Sequence, residues 1–394
     1  MKLAPIVIFT YNRLSHTKKT IKALANNLLA KDSLVYIYSD GVRSKKDRDS
    51  VLKVRKYLKT ITGFKSIKII EQPFNKGLAQ SIINGVTEIV NKYGKVIVVE
   101  DDIVTSPYFL KYMNDALNFY EKNKKVWHIS GWNYVINTEY LDDVFLWRKM
   151  DCWGWATWQD RWQHFEKNPQ KLIATFTDKQ IYNFNIDNSL DYWAEILQNK
   201  EATLNTWAVF WDATIFLNNG LCVNPTVSFV ENIGFDGSGE NTGYRTGYLT
   251  PNLNLNNDIK FNVEIKENSI AFDRIKLFFL DRKKSFKLDF PKKLGLLHKN
   301  ISNLKIENRK YIIYGAGSVC DIIIAMISDL VDFVVDINNL LIDSKIRDKQ
   351  VYKVDKLLEV NDEYLVISVL GREKEIIQYL CSEFKINKDK IITL

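Results

Sequence analysis

The sequence predicts an α/β fold: a sheet of parallel strands with helices on both faces, followed by a second, smaller α/β unit at the carboxyl end. Three observations carry the prediction. The first hundred residues alternate short β-branched runs with stretches of helical spacing, the pattern of parallel strands joined by helices. Val96, Ile97, Val98 and Val99 are an unbroken apolar run, which suits a strand buried on both faces. A strand, a glycine turn and an apolar helix begin again near Arg309.

In order, Ile6–Thr10 reads as a strand, and Ser15–Leu29 as a helix with Ser15 as its cap. Leu34–Tyr38 is a strand ending at Ser39-Asp40-Gly41. Asp47–Leu58 is helical, Ser66–Ile70 a strand, Gly77–Tyr93 helical and Lys95–Val99 a strand. Ser106-Pro107 reads as an N-cap with proline at the first helical position, opening a helix over Tyr108–Glu121. From about Val126 the pattern turns irregular, with one short strand expected at Cys222-Val223. All ten tryptophans lie between Trp127 and Trp211. Gly234-Phe235-Asp236-Gly237-Ser238-Gly239 is a glycine-rich loop, and an Asn-, Gly- and Thr-rich stretch continues to about Asn257. Lys310–Tyr314 is a strand, followed by Gly315-Ala316-Gly317 and a helix to Leu330. Phe333–Val335 and Leu365–Val369 are further strands. The expected organisation is a domain over 1–255 (halves 1–125 and 126–255), a basic amphipathic linker over 256–308, and a small Rossmann-like domain over 309–394.

Bulk properties narrow the class. A 46% hydrophobic and 26% charged composition is ordinary for a globular protein. No stretch approaches the roughly 20 apolar residues that span a bilayer, and the start reads as a strand rather than a signal peptide. Cys152, Cys222, Cys320 and Cys381 have no metal-ligand spacing and read as thiols of a reducing, cytoplasmic compartment. The net charge is +8, and nine basic residues fall between Arg274 and Lys299 against Asp281 and Asp289. Apolar and aromatic residues interleave with them. Such a stretch suits peripheral contact with an anionic membrane face; it equally suits a packed linker with solvated lysines. No nucleic-acid motif accompanies the charge.

Glu100, Asp101 and Asp102 close the strand that begins at Lys95. Ligands of open α/β sheets bind outside the carboxyl ends of strands. Three adjacent acids repel one another, so a divalent cation there would relieve them. Oxygen ligands suit Mn²⁺ or Mg²⁺, which usually arrive with a phosphate. A solvated turn before a helix is the plain alternative.

Residues 4–133 resemble the catalytic domain of the N-acetylglucosaminyltransferase I family, glycosyltransferases of the GT-A fold. The resemblance is ordered: Ile6-Val7-Ile8 with Tyr11-Asn12-Arg13, Tyr38-Ser39-Asp40-Gly41, Asn75-Lys76-Gly77-Leu78-Ala79, then Val98-Val99-Glu100-Asp101-Asp102, Pro107, Phe109, Trp127 and Trp132-Asn133. The block from Cys222 to Gly234 is similar to a later segment of the same family. The resemblance implies a GT-A mixed sheet and a UDP-sugar donor. Arg13 and Asp40 would contact the uridine, with Lys76 beside them. Glu100 would reach the transferred sugar, Asp101 the ribose, and Asp102 would ligate the metal on the diphosphate.

An inverting transferase also needs a base at the acceptor hydroxyl. Phe210-Trp211-Asp212 resembles the family segment that supplies it, although Ala213 stands where the family has a second aspartate. Asp191 and Asp236 are rivals. Trp153, Trp155 and Trp158 are expected to be mostly core, with one or two touching sugar; Trp155 is assigned to the donor side, where Gly154 lets the backbone approach closely. Gly315-Ala316-Gly317 with Asp336 is part of a dinucleotide fingerprint whose third position is Cys320. The expected function is metal-dependent transfer of a sugar, N-acetylglucosamine first among them, to a glycan acceptor, free or lipid-linked, in bacterial lipopolysaccharide or capsule synthesis. Rival readings are a non-catalytic nucleotide-sugar or carbohydrate-binding protein, an NAD(P)-linked oxidoreductase and a sugar nucleotidyltransferase. The last would carry a glycine-rich loop after the first strand, where Tyr11-Asn12-Arg13-Leu14-Ser15 has no glycine.

Overall fold

The apolar runs of the first hundred residues form four parallel strands in the computed structural model, which describes residues 2–236, 252–307, 309–337, 341–360, 363–369 and 373–393. The strands are β1 (Ile6–Thr10), β2 (Leu34–Ser39), β3 (Ser66–Glu71) and β4 (Lys95–Glu100). Helices α1 (Leu14–Ala25), α2 (Arg48–Leu58) and α3 (Leu78–Tyr93) connect them. The register runs Ile6 beside Val35 and Ile97, and Leu34 beside Ser66. Ile21, Leu24, Ile82, Val86 and Ile89 bury one stripe of α1 and α3 in the same core as the sheet.

Two expected caps fall elsewhere. Helix α1 starts at Leu14, with Arg13 at the cap position making no side-chain cap and Ser15 inside the first turn. Thr17 closes that turn through its hydroxyl, 2.8 Å from the Arg13 carbonyl. After the short β5 (Ile103–Thr105), α4 (Phe109–Phe119) begins later than the Ser106-Pro107 signal. Ser106 Oγ accepts from Tyr108 N–H at 3.3 Å and shapes the turn leading in.

Beyond Val126 the structure has more strands than the sequence suggested: β6 (Val126–Ser130), β7 (Val144–Trp147) and β8 (Trp155–Trp158). Five helices come next, α5 (Gln159–Trp162), α6 (Pro169–Thr175), α7 (Asp178–Phe184), α8 (Trp193–Lys200) and α9 (Ala208–Leu217). Strands β9 (Leu221–Pro225) and β10 (Val230–Asn232) complete this region. The eight-stranded sheet runs β3-β2-β1-β4-β8-β6-β9-β7, and β8 lies antiparallel between β4 and β6. Strands β5 and β10 form a separate antiparallel pair. All tryptophans except Trp153 and Trp193 are buried, so the aromatic richness is mainly core.

The chain divides into two compact units, Met1–Asp281 and Arg282–Leu394. Helix α10 (Ser269–Glu307) carries the basic run. Its side chains from Arg282 to Leu296 lie outside the described residues, as does Gly237-Ser238-Gly239 of the glycine-rich loop with most of the stretch after it. Among the described residues no helix is long and apolar enough to cross a membrane.

The second unit is Rossmann-like. It contains β11 (Tyr311–Tyr314), α11 (Ser318–Ile327), β12 (Val331–Asp336), β13 (Lys345–Ile346), β14 (Lys349–Lys353), β15 (Tyr364–Ile367), α12 (Glu373–Glu383) and β16 (Ile391–Thr393). Its sheet order is β13-β14-β12-β11-β15-β16, parallel except for β13. Asp336 Oδ2 accepts the Ala316 N–H at 2.6 Å, so the acid after the second strand is bonded to the glycine turn itself.

Candidate active site

The carboxyl ends of β1, β2 and β4 open into a cleft of about 430 Å³ within the first unit. Strand order explains the place: β1 is flanked by β2 and β4, whose connections leave in different directions, and a crevice forms outside the strand ends.

Glu100, Asp101 and Asp102 all line this cleft. Arg13, delivered from the end of β1, holds two of them. Its Nη2 donates to Asp101 Oδ1 and, at 2.9 Å, to Asp102 Oδ2. Burial works against the guanidinium charge, but the two carboxylates outweigh it and hold Arg13 above its usual pKa. Burial pushes Asp101 up to about 6, with Arg13 opposing and Asp102 adding to the rise. Burial, then Asp102 and Asp101, pushes Glu100 up to about 8. Arg13 Nη1 and Asp101 Oδ2 are buried with no partner among the described residues, a cost unless a ligand satisfies them. Asp102 Oδ1 likewise accepts no hydrogen bond from the described residues.

These groups fit a divalent ion. Such ions are commonly held by one or two carboxylates plus substrate phosphates. No group of three His, Cys, Asp or Glu side chains among the described residues could hold an ion by itself. Asp102 with its open Oδ1 matches the shared arrangement. Ile233 and Gly234 lie against it: a Cβ on Gly234 would stand 2.1 Å from Asp102 Oδ2, and Ile233 N–H reaches the Asp102 carbonyl at 2.9 Å.

Asp40 also lines the cleft, but its carboxylate is largely engaged. Oδ1 accepts from Gly41 and Lys76 N–H at 2.8 and 2.9 Å, and Oδ2 from Gly77 N–H at 3.0 Å. It ties the end of β2 to the start of α3. Lys76 enters that tie through its backbone, while Asn75 and Gly77 line the cleft.

Three further candidates, Trp155, Asp191 and Asp236, do not line the cleft. Trp155 does not reach the cleft: it is fully buried, stacked 5.3 Å from His128 and 5.2 Å from Trp207. Both faces of β8 are covered, so Trp155 is core, and Trp153, before the strand, lines the cleft instead. Gly154 does permit a close approach, but to protein. Its φ is +62°, and a Cβ would stand 2.9 Å from Val230 Cγ1. Asp191 is exposed outside the cleft and acts as a turn cap, accepting from Ala194 N–H at 3.1 Å and Asn185 Nδ2 at 3.2 Å. Asp236 is half-exposed and pairs with His16 Nε2 at 3.0 Å, on the side of Asp101.

Asp212 does line the cleft, on α9, yet it is buried in an ion pair with Lys149. Its Oδ1 accepts from Met150 N–H at 3.2 Å. Lys149 Nζ lies 3.8 Å from the ring centroids of both Phe184 and Tyr192 and donates to the Phe184 carbonyl at 3.2 Å. Burial pushes Asp212 up and Lys149 down, and their mutual attraction opposes both shifts.

The sequence reading missed Asp151 and Glu195, both on the cleft. Burial pushes Asp151 up to about 7, against hydrogen bonds from Asn224 and Tyr134. Burial also raises Glu195. An acid just ahead of an aromatic strand was the available signal for Asp151.

The mixed sheet with a cleft at its strand ends agrees with the GT-A arrangement that the ordered motifs imply. Residues 1–178 match the model of the GNT-I family, so the family resemblance read from the ordered motifs holds over that stretch. No curated protein matches the chain. Among solved structures, S. aureus TarS is similar at 18% identity over 33% of this chain and 21% of its own, with a TM-score of 0.24. TarS 1-349 gives 8% identity over 57% and 59%, with a TM-score of 0.33. The mannosyltransferase PcManGT from Pyrobaculum calidifontis, in complex with GDP-Man and Mn²⁺, gives 8% over 55% and 69%, with a TM-score of 0.31. These superpositions are loose, and the weight of the functional reading rests on the family match.

Proposed function

We propose that this protein is a metal-dependent, inverting glycosyltransferase that uses a nucleotide-diphosphate sugar. UDP is the first choice of nucleotide and N-acetylglucosamine the first choice of sugar, both on the strength of the family resemblance. The acceptor is a glycan. The observation that carries the reading is the Arg13–Asp101–Asp102 cluster, with its unsatisfied Arg13 Nη1 and Asp101 Oδ2, at the strand ends of a domain matching the GNT-I family.

Asp102 Oδ1 would hold the ion together with the donor diphosphate. The ion, when bound, neutralises charge that builds on the leaving diphosphate. Arg13 keeps Asp101 and Asp102 side by side and lowers the repulsion between them. Asp101 Oδ2 is placed to accept from a donor hydroxyl, as a ribose provides. Asp40 fixes the loop that the nucleobase would lie against, and Glu100 faces the transferred sugar.

A thermal-shift series tests this. UDP-, GDP-, CMP- and dTDP-sugars are added with Mn²⁺ or with EDTA, and native-state binding raises the midpoint. The expected result is a shift with UDP-sugars that disappears in EDTA. In Asp102→Asn the protein stays folded and the shift is lost. An undiminished shift in that variant would remove the metal assignment.

A further inference from the structure

We infer that Asp151, rather than Asp212, takes the proton from the acceptor hydroxyl. The inference rests on the glycosyltransferase reading of the cleft.

Strand register brings Asp151 to the reacting edge. Val98 of β4 faces Trp155 of β8 at the last pair of that ladder, and Glu100 and Trp153, just beyond it, both line the cleft. The segment entering β8 therefore lies at the carboxyl end of β4. Strands β6 and β9 bring Tyr134 and Asn224 to the same edge, since Ser130 faces Trp155 and Ile129 lies beside Val223. Tyr134 OH donates to Asp151 Oδ1 at 3.1 Å, and Asn224 Nδ2 to Oδ2 at 2.8 Å. Asn224 is itself fixed, with Oδ1 accepting from Trp147 Nε1 at 3.0 Å. The carboxylate is thus oriented, and each oxygen keeps accepting capacity for a substrate hydroxyl.

Asp212 is the more deeply buried of the two, and its partner is a cation. One oxygen is in contact with the Lys149 ammonium, and the other accepts from Met150 N–H. A cation in contact lowers the proton affinity of a carboxylate. Burial raises both carboxylates, but the donors in contact with Asp151 are neutral. Burial raises it to about 7, near the value that serves a base at neutral pH. Asp212 adds to that rise, and Lys149, Asn224 and Tyr134 oppose it. The Cys152 and Cys222 thiols nearby are held uncharged by burial, and His128, whose Nε2 lies 3.0 Å from the Asp151 carbonyl, is held neutral.

The step balances. The acceptor O–H gives its proton to Asp151, and the acceptor oxygen bonds to the anomeric carbon. The bond from that carbon to the diphosphate oxygen breaks, and its electron pair leaves with the nucleoside diphosphate.

The test compares wild type with Asp151→Asn and Asp212→Asn. Donor affinity is measured by calorimetry with UDP-sugars and Mn²⁺, and nucleotide release with octyl glycosides or water as acceptor. Asp151→Asn should bind donor within about threefold and lose roughly 10²- to 10⁴-fold in rate. The wild-type rate should rise with pH through about 7, and the rise should vanish in Asp151→Asn but persist in Asp212→Asn. A ¹³C-carboxyl titration, independent of turnover, should show a group titrating near 7 that Asp151→Asn removes. Wild-type rates in Asp151→Asn, or no such titrating group, would overturn the inference. A wild-type protein that binds no nucleotide sugar would instead overturn the glycosyltransferase reading, and the calorimetry separates the two failures.

Discussion

His128 and Asp151 are neighbours whose titrations pull stability in opposite directions. His128 is fully buried, accepts from Trp211 Nε1 at 3.2 Å, and burial lowers its pKa to about 3. As pH falls below about 6.5 the unfolded chain takes up a proton there and the native state does not, so stability falls with falling pH. Asp151 is raised to about 7. Between about 4 and that value the native state holds a proton that the unfolded chain has lost, so stability falls with rising pH. Each slope is about 1.4 kcal/mol per pH unit at full effect, and over pH 4–6.5 they offset each other. Urea unfolding should then expose each in turn. His128→Gln should leave a profile falling toward neutral pH, and Asp151→Asn one rising toward it. Identical profiles in wild type and both variants would contradict the burial-driven shifts. Legibility differs sharply between side chains. Glu100, Asp101 and Asp102 were readable because they are adjacent in the chain. Asp151 was not, because its partners Tyr134 and Asn224 lie 17 and 73 positions away.

Among the strands and loops, the parallel half was legible and the antiparallel half was not. Strands β1, β2 and β4 are buried on both faces and spell near-continuous apolar and aromatic runs. Strands β6, β7 and β8 are four or five residues long and rich in tryptophan, with no period distinct from a buried helix. Yet the segment entering β8 brings Asp151 and Trp153 to the cleft, so what was hardest to read lines part of it. Glycine in the loop after β10 has a checkable purpose. Gly234 passes so near Asp102 Oδ2 that a methyl group would displace either the loop or the carboxylate. Gly234→Ala should weaken Mn²⁺-dependent donor binding about tenfold, or roughly 1.4 kcal/mol, while the ligand-free melting midpoint moves little. Calorimetric titration with Mn²⁺ and UDP-sugar reads this directly. Unchanged affinity would mean that the backbone at Gly234 gives way and the Asp102 carboxylate keeps its place.

Every side chain of the cleft comes from Met1–Asp281. The second unit has apolar clusters of its own, one around Tyr311, Ile313, Ile324 and Val334 and another around Ile312, Val335, Ile367 and Leu380. Donor binding stabilises only the structure whose unfolding destroys the site. Two units with separate cores need not melt together, and a single unfolding free energy need not describe them. The tryptophans offer a clean reporter, since all ten lie between Trp127 and Trp211, inside the first unit. Tryptophan fluorescence should therefore follow that unit alone, while far-ultraviolet circular dichroism sees both. With UDP-sugar and Mn²⁺ the fluorescence midpoint should rise, and the part of the dichroism transition that fluorescence does not track should stay where it was. If both signals instead rise together as one transition, unfolding of the second unit is coupled to the first, and the carboxyl-terminal unit shares in the stability of the donor-bound state.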